Sequence, residues 1–363
     1  MNKTLTPPAI ADIHNPDDPP RQKRQLRVGT PQVHWFNTRD GVRLRLTRYQ
    51  GGDKGPVMVV HCIGVSSLMY AIDTIETNLL EYLYKKGFDV WLLDFRFSIE
   101  LPVSSSQSKF DDVATKDYPA AVAKVREMTN AETIQVVAHG VGSSTFTMAM
   151  LAGLQGVRSA VCSQVSTHLF VPLLNRLKTG FYMPSLLSAI GFSTLTAYVD
   201  AHANWLNKLY NKSLNFYPIP REERCNSAVC HRITAMYGHL YEHAQLNQET
   251  HNVLHEMFGV VNLTAFRQLA LISRKGYLVN AQGANVYLPN LERLAIPIAF
   301  LHGTDNACVL PKSTEITYQL LSEKNGSQLY SHHNIPQYGH VDCMFGKNAF
   351  RDVYPLILQH LES

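Results

Sequence analysis

The sequence predicts an α/β protein: a mostly parallel sheet with helices on both faces and a helical segment inserted before the penultimate strand. Three observations predict it. Short continuous apolar runs, such as "PVMVVHCIG" (56–64) and "DVWLLDF" (89–95), read as strands buried on both faces. Segments of helical spacing alternate with them, and that alternation builds parallel sheets. The alternation breaks once, from about 166 to 290, where the pattern turns mostly helical, rich in Tyr and His, with no clear strands.

Each element has its own signal. Residues 1–30 are rich in Pro and charge without a hydrophobic period, and read as an extended arm. "VHWFNTRDGVRLRLTRY" alternates on both sides of Asp40-Gly41, as a β-hairpin does. "LLEYLYKKGF" (79–88) is helical and stops at Gly87. Asp111 to Met128 is helical, with Tyr118, Ala121, Val122 and Val125 on one face. "TIQVVAH" (133–139), "VRSAVCSQV" (157–165), "IPIAFLHG" (296–303) and "SQLYSHHNI" (327–335) read as strands. "SSTFTMAMLAGL" (143–154), "STEITYQLLSEK" (313–324) and a last segment, 346–361, read as helices. The expected division is a core of 31–165 and 291–363, with 166–290 as a helical cap over the C-terminal edge of the sheet, where open α/β sheets bind ligands.

Bulk properties exclude several classes. The 363 residues carry a net charge of +4, too little to imply a nucleic-acid partner. The one basic run, "RQKRQLR" (21–27), reads as a solvated arm. The six cysteines are scattered, which suits free thiols and a cytoplasmic setting. Cys225-x4-Cys230-His231 lacks a second Cys/His pair at zinc-like spacing, so no metal site is expected there. No cofactor is expected, since no G-x-G-x-x-G follows a strand. The first residues lack a basic start and an apolar h-region, and no apolar stretch reaches the length of a membrane span.

Chemistry is concentrated in three loops, each after a strand. "VVAHGVGSST" (136–145) has the strand, sharp turn and small-residue helix start of a nucleophile elbow, G-x-S-x-G. The five positions are Ala138, His139, Gly140, Val141 and Gly142, so the nucleophile position is Gly140, which has no side chain. "LHGTDNACVLP" (301–311) offers an acid-type residue after its Gly, at Asn306 or its neighbour Asp305. "YGHVDCMFG" (338–346) places His340 just after the last strand. In such an arrangement the His takes the nucleophile's proton and the acid fixes the imidazole tautomer.

With these loops in hand, the chain resembles the α/β-hydrolases, in pattern the acid and gastric lipase branch, through "DVWLLDFR", "DYPAAVAKVREMTNAETIQVVAHGVGSSTFTMAML", "FLHGTDNACVLP" and "YGHVDCMFG". It resembles more strongly the hydrolase module fused to GMC-type flavin oxidoreductases in some bacterial proteins, through "GVSSLMYAIDTIETNLLEYL" and "AMLAGLQGVRSAVCSQVSTH". The resemblance covers most of 30–360 and is weakest in the cap. It implies an eight-stranded α/β-hydrolase sheet, His340 as the catalytic His, and Asn306 as the positional match of the acid, with Asp305 as an alternative source of charge. It implies an oxyanion hole from the N–H groups of Val141 and of Ile63 or Cys62. It also implies a flavin oxidoreductase of the same pathway as a partner. Two positions depart from the family. The elbow usually carries Cys or Ser where Gly140 stands, and the oxyanion loop has His-Gly where this chain has His61-Cys62.

Three functions compete. The first is hydrolysis or acyl transfer on an ester, thioester or lactone with a bulky apolar part; Gly140 is then a substitution that disables the nucleophile, or one compensated by Cys62 from the opposite loop. The second is nucleophile-free lyase, isomerase or oxygenase chemistry by a His340–acid dyad. The third is ligand binding without turnover.

Overall fold

The computed structural model describes residues 19–173, 175, 193–197, 214 and 223–363. Eight strands form one sheet in the order β1-β2-β4-β3-β5-β6-β9-β10. β1 (Gln32–Asn37) and β2 (Arg43–Gln50) are the expected hairpin around Gly41, whose φ is 79°. β2 pairs antiparallel with β4 (Asp89–Asp94), and every later pairing is parallel. These join β4 to β3 (Pro56–Val60), β3 to β5 (Ile134–His139), β5 to β6 (Val157–Ser163), β6 to β9 (Ile298–Gly303) and β9 to β10 (Tyr330–Ile335).

The apolar runs are central strands because both of their faces are covered. Met58, Val60, Leu93, Val136 and Ala138 join one core, while Val57, Val59, Val90, Leu92 and Val137 join the other. Helices supply the cover. α1 (Leu79–Lys85) opens with a capping box between Asn78 and Glu81. α2 (Tyr118–Thr129), preceded by a π turn at Val113–Asp117, ends at Asn130 in the left-handed region. α3 (Val141–Leu151) is buried along its whole length, as a central helix beneath the site must be.

Three expectations need correction. The 166–290 stretch contains a two-stranded ribbon, β7 (Thr194–Thr196) with β8 (Val260–Asn262); three-residue strands are too short to show a period. The segment 346–361 is two helices, Ala349–Asp352 and Tyr354–Leu361, divided at Val353 because Pro355 opens the second. The basic run 21–27 is docked rather than solvated. Arg21 pairs with Asp73 at 2.5 Å and Glu256 at 2.6 Å, and Arg24 with Glu81 at 2.7 Å. Residues 1–18 of the expected arm, and 174, 176–192, 198–213 and 215–222 of the expected cap, lie outside the described residues. Elsewhere between β6 and β9 lie α4 (Ala228–Tyr237) and α5 (Leu263–Lys275). α6 (Lys312–Asn325) connects β9 to β10.

Candidate active site

Four loops meet at the C-terminal ends of β3, β5, β9 and β10. The elbow comes first. β5 runs into Gly140 at φ 55° and ψ −123°, a conformation that a residue with a side chain enters only under strain. Gly142 rests against the β3 loop, where a Cβ would stand 2.3 Å from the carbonyl oxygen of His61, so only glycine fits. Tyr118 Oη donates to the Gly142 carbonyl at 2.6 Å and pins the first turn of α3. The strand–turn–helix of an elbow is therefore complete, apart from a side chain at 140.

Cys62 occupies that gap. A Cβ built on Gly140 would lie 2.6 Å from Cys62 Sγ and 2.9 Å from Nε2 of His340. Cβ atoms do not approach a sulfur so closely, so a side chain at 140 and the thiol at 62 exclude one another. The sulfur accepts the N–H of Val141 at 3.3 Å, and the N–H of Ile63 also faces it. These are the two donors expected from sequence to hold an oxyanion, and here they hold sulfur. Burial pushes the Cys62 thiol up to about 11, against the pull of those two N–H groups, so the resting group is a neutral thiol.

His340 is buried, and burial, reinforced by the neighbouring His139 and His302, holds its imidazole well below the usual range and keeps it neutral. Its backbone N–H and that of Val341 both donate to the Leu240 carbonyl, at 2.8 and 2.9 Å. The ring of His139 meets that of His340 edge-on, with centroids 5.0 Å apart. His61 stacks on Phe95, and burial holds it at about 4, so it too is neutral.

Asn306 is the residue beside this histidine, and Asp305 is not. Asp305 is exposed and accepts from Thr304 Oγ1 at 2.8 Å. Asn306 is buried, with Nδ2 3.0 Å from His340 Nδ1. Which end of the amide faces the ring decides the chemistry. Oδ1 of Asn306 accepts two backbone N–H groups, those of Cys308 and Val309, each at 2.9 Å. The amide NH2 therefore points the other way, to His340 Nδ1 and to Gln164 Oε1 at 2.9 Å. Reversing it would set NH2 against two N–H donors and oxygen against oxygen. His340 Nδ1 is thus an acceptor, and the ring hydrogen sits on Nε2, the nitrogen that faces Gly140. A carboxylate at 306 would impose the opposite tautomer.

Gln164 is a member of this site that sequence reasoning missed. It follows β6 in the left-handed region at φ 73°, is fully buried, and accepts from Gly303 N at 3.2 Å as well as from Asn306. Nothing in "CSQVS" signals such a role. Ser143 donates its hydroxyl to the Val165 carbonyl, and Ser144 lines the pocket. The pocket over the site is almost wholly apolar, about 50 Å³ between the described walls, which include Val65, Leu169, Tyr237, Leu240 and Phe258.

Away from this site lie Cys225 and Cys230, whose spacing carries no expectation of a metal site. The fold brings His243 and His251 to them, with the four ligand atoms all within 4.8 Å of one another. His231, their neighbour in sequence, instead turns Nε2 to the Cys225 carbonyl at 2.9 Å.

Comparison with known proteins agrees with the architecture. Residues 55–347 match the model of the α/β-hydrolase fold family, and the chain belongs to that family. It is 23% identical to a lipase of Caenorhabditis elegans, lipl-3, over 95% of this chain and 93% of that one. Its fold resembles an esterase from Pyrococcus furiosus, at a TM-score of 0.52 and 13% identity, covering 97% of this chain and 98% of that one. It also resembles the thioesterase domain of the curacin biosynthetic pathway, at a TM-score of 0.50 and 13% identity, covering 91% of this chain and all of that domain (100%). No helix among the described residues is long and apolar enough to cross a membrane.

Proposed function

We propose that this chain is an acyl-transfer or hydrolytic enzyme acting on an ester-type carbonyl with a bulky apolar part, and that its nucleophile is Cys62. One observation carries the reading. The thiol of Cys62 lies where an elbow side chain would otherwise stand, held by the N–H groups of Val141 and Ile63, and the vacant Cβ position of Gly140 lies 2.6 Å from the sulfur and 2.9 Å from His340 Nε2. The names of the lipase, the esterase and the thioesterase to which the chain is similar suit that substrate class.

The tautomer narrows the substrate. Nε2–H of His340 can donate a hydrogen bond but cannot take the thiol proton, so no general base assists. Reaction proceeds from the small thiolate fraction. The Cys62 sulfur forms a bond to the carbonyl carbon, and the bond to the leaving group breaks with its electron pair. A leaving group that departs unprotonated is required, which favours a thioester or an aryl ester over an alkyl ester. The product is a thioester on Cys62 and a free thiolate or phenolate. The apolar part of the substrate lies against Leu169, Tyr237 and Phe258, and the space between those walls must widen to take it.

The test is intact-mass analysis after exposure to an aryl thioester of a medium-chain acid. The expected result is one acyl group, mapped to Cys62 and absent from Cys62→Ser. Acylation elsewhere, or none in a protein that still binds the compound, sinks the reading. A second reading, binding without turnover, is favoured by the Asn306 amide, because it leaves His340 a donor that can only hold a carbonyl oxygen.

A further inference from the structure

We propose that Cys225, Cys230, His243 and His251 form a structural zinc site, which braces the segment that carries the candidate histidine. The four residues come from separate turns of the segment 225–251: Cys225 before α4, Cys230 on its first turn, His243 in the turn after it, and His251 in the helix Gln248–Asn252. The fold nevertheless sets one ligand atom from each within 4.8 Å of every other. In a tetrahedral zinc site, bond lengths near 2.3 Å to sulfur and 2.0–2.1 Å to nitrogen put S and N about 3.5 Å apart. Cys230 Sγ and His243 Nε2 lie 3.6 Å apart.

The surroundings are those of a ligand set. Glu223 accepts from Nδ1 of His243, which leaves Nε2 of that ring free to face the sulfur. The same carboxylate accepts the His243 backbone N–H at 3.0 Å and holds Nε2 of His239 at 3.0 Å. A carboxylate behind a ligating histidine fixes its tautomer and orientation. Tyr241 Oη donates to Cys230 Sγ at 3.0 Å, as a donor to a zinc-bound thiolate would. Nε2 of His251 is buried with no hydrogen-bond partner, an orphan that a metal bond satisfies. A cavity of about 390 Å³ opens against Cys225, His243 and His251 and gives an ion a way in. Two thiolates with two imidazoles select zinc over the hard, oxygen-seeking cations.

The position of the cluster gives it a purpose. The chain from His239 to His243 runs between the metal ligands and the candidate site. His239 bridges Ala307, the neighbour of Asn306. The Leu240 carbonyl takes the N–H groups of His340 and Val341, and Asp342 takes those of Glu242 and Gly339, at 3.1 and 3.0 Å. Zinc at this point ties the residues before β8 to the loops of Asn306 and His340.

The test uses the full chain produced with zinc in the medium, with metal measured by elemental analysis after exhaustive dialysis. One zinc per chain is expected. Cys225→Ser and His251→Ala should lose it, while His231→Ala should keep it. Glu223→Gln retains all four ligands and should bind zinc about 10-fold or more weakly in a chelator competition. Cobalt loading of the metal-stripped chain should give thiolate-to-metal charge transfer and the intense visible bands of a tetrahedral site, a readout that does not depend on the variants folding. A chain isolated without metal that takes up neither zinc nor cobalt overturns the proposal. So does a Cys225–Cys230 disulfide found by mass, or a ligand set that includes His231.

Discussion

Gly140 and Cys62 act as one unit. With 2.6 Å between the missing Cβ and the thiol, restoring Gly140→Cys alone forces sulfur against carbon in a packed site, and it should lower the melting temperature. Adding Cys62→Gly removes the clash with sulfur, though not the 2.9 Å approach to His340 Nε2, so the double variant should regain part of the stability, with a coupling of about 1–3 kcal/mol in a double-mutant cycle. Additive effects would mean that the two positions do not compete for space. The thiol at about 11 and the neutral His340 also set a pH profile. Thiolate grows about tenfold per pH unit below the thiol pKa, so Cys62 acylation should climb steadily from pH 7 to pH 10 without an imidazole step. A plateau above neutrality would show His340 acting as base. Asn306→Asp reverses the tautomer and should raise acylation by about 100-fold or more, short of the roughly 10⁴ that the inverse change costs a serine protease. The gain is limited because Gln164 now turns its own carbonyl oxygen to this position and must flip its amide. Loop order in the sequence led to Gly140, to His340 and to the pair Asp305 and Asn306, without choosing within that pair. The tautomer was not legible there, since it depends on which end of the Asn306 amide meets the N–H groups of Cys308 and Val309.

At the scale of elements, the basic run 21–27 shows what local reading misses. Its charges are plain in the sequence, but their partners come from distant segments. Arg24 reaches Glu81, the capping residue of α1, whose side chain is 2% exposed. Although burial opposes ionisation, the Arg24 and Arg27 contacts hold Glu81 at about 2, and Arg21 holds Asp73 at about 2. Both carboxylates are depressed in the folded state, so their contribution is complete above pH 5 and is lost as pH falls from about 4 toward 2. Arg24→Ala should cost about 1–3 kcal/mol, measured by urea unfolding at pH 7, with the deficit shrinking near pH 2. A deficit independent of pH would show that packing, not charge, is lost. The strands and helices of the core were readable because apolar runs and helical periods are local. The β7–β8 ribbon was not, because two three-residue strands gain their partners only in the folded chain.

For the whole molecule, the class of fold was evident in the alternation of apolar runs with helical segments. The order in which the strands pair was not, because each central strand is apolar on both faces and suits either neighbour. The cluster of Cys225, Cys230, His243 and His251 was also missed: its C-x4-C-x12-H-x7-H spacing departs from a zinc-finger pattern only in the last gap, which the fold closes. The Leu240 carbonyl joins these distant parts by accepting both His340 and Val341 N–H groups. Those two amide hydrogens can exchange with solvent only when the Leu240 segment lifts away, so their exchange rates time that opening. In deuterated water they should exchange together, faster than the amides of β5, and faster still once metal is stripped from the chain. The molecule thus carries its own clock for the lifting of this segment, in two backbone hydrogens that lie outside the pocket's chemistry.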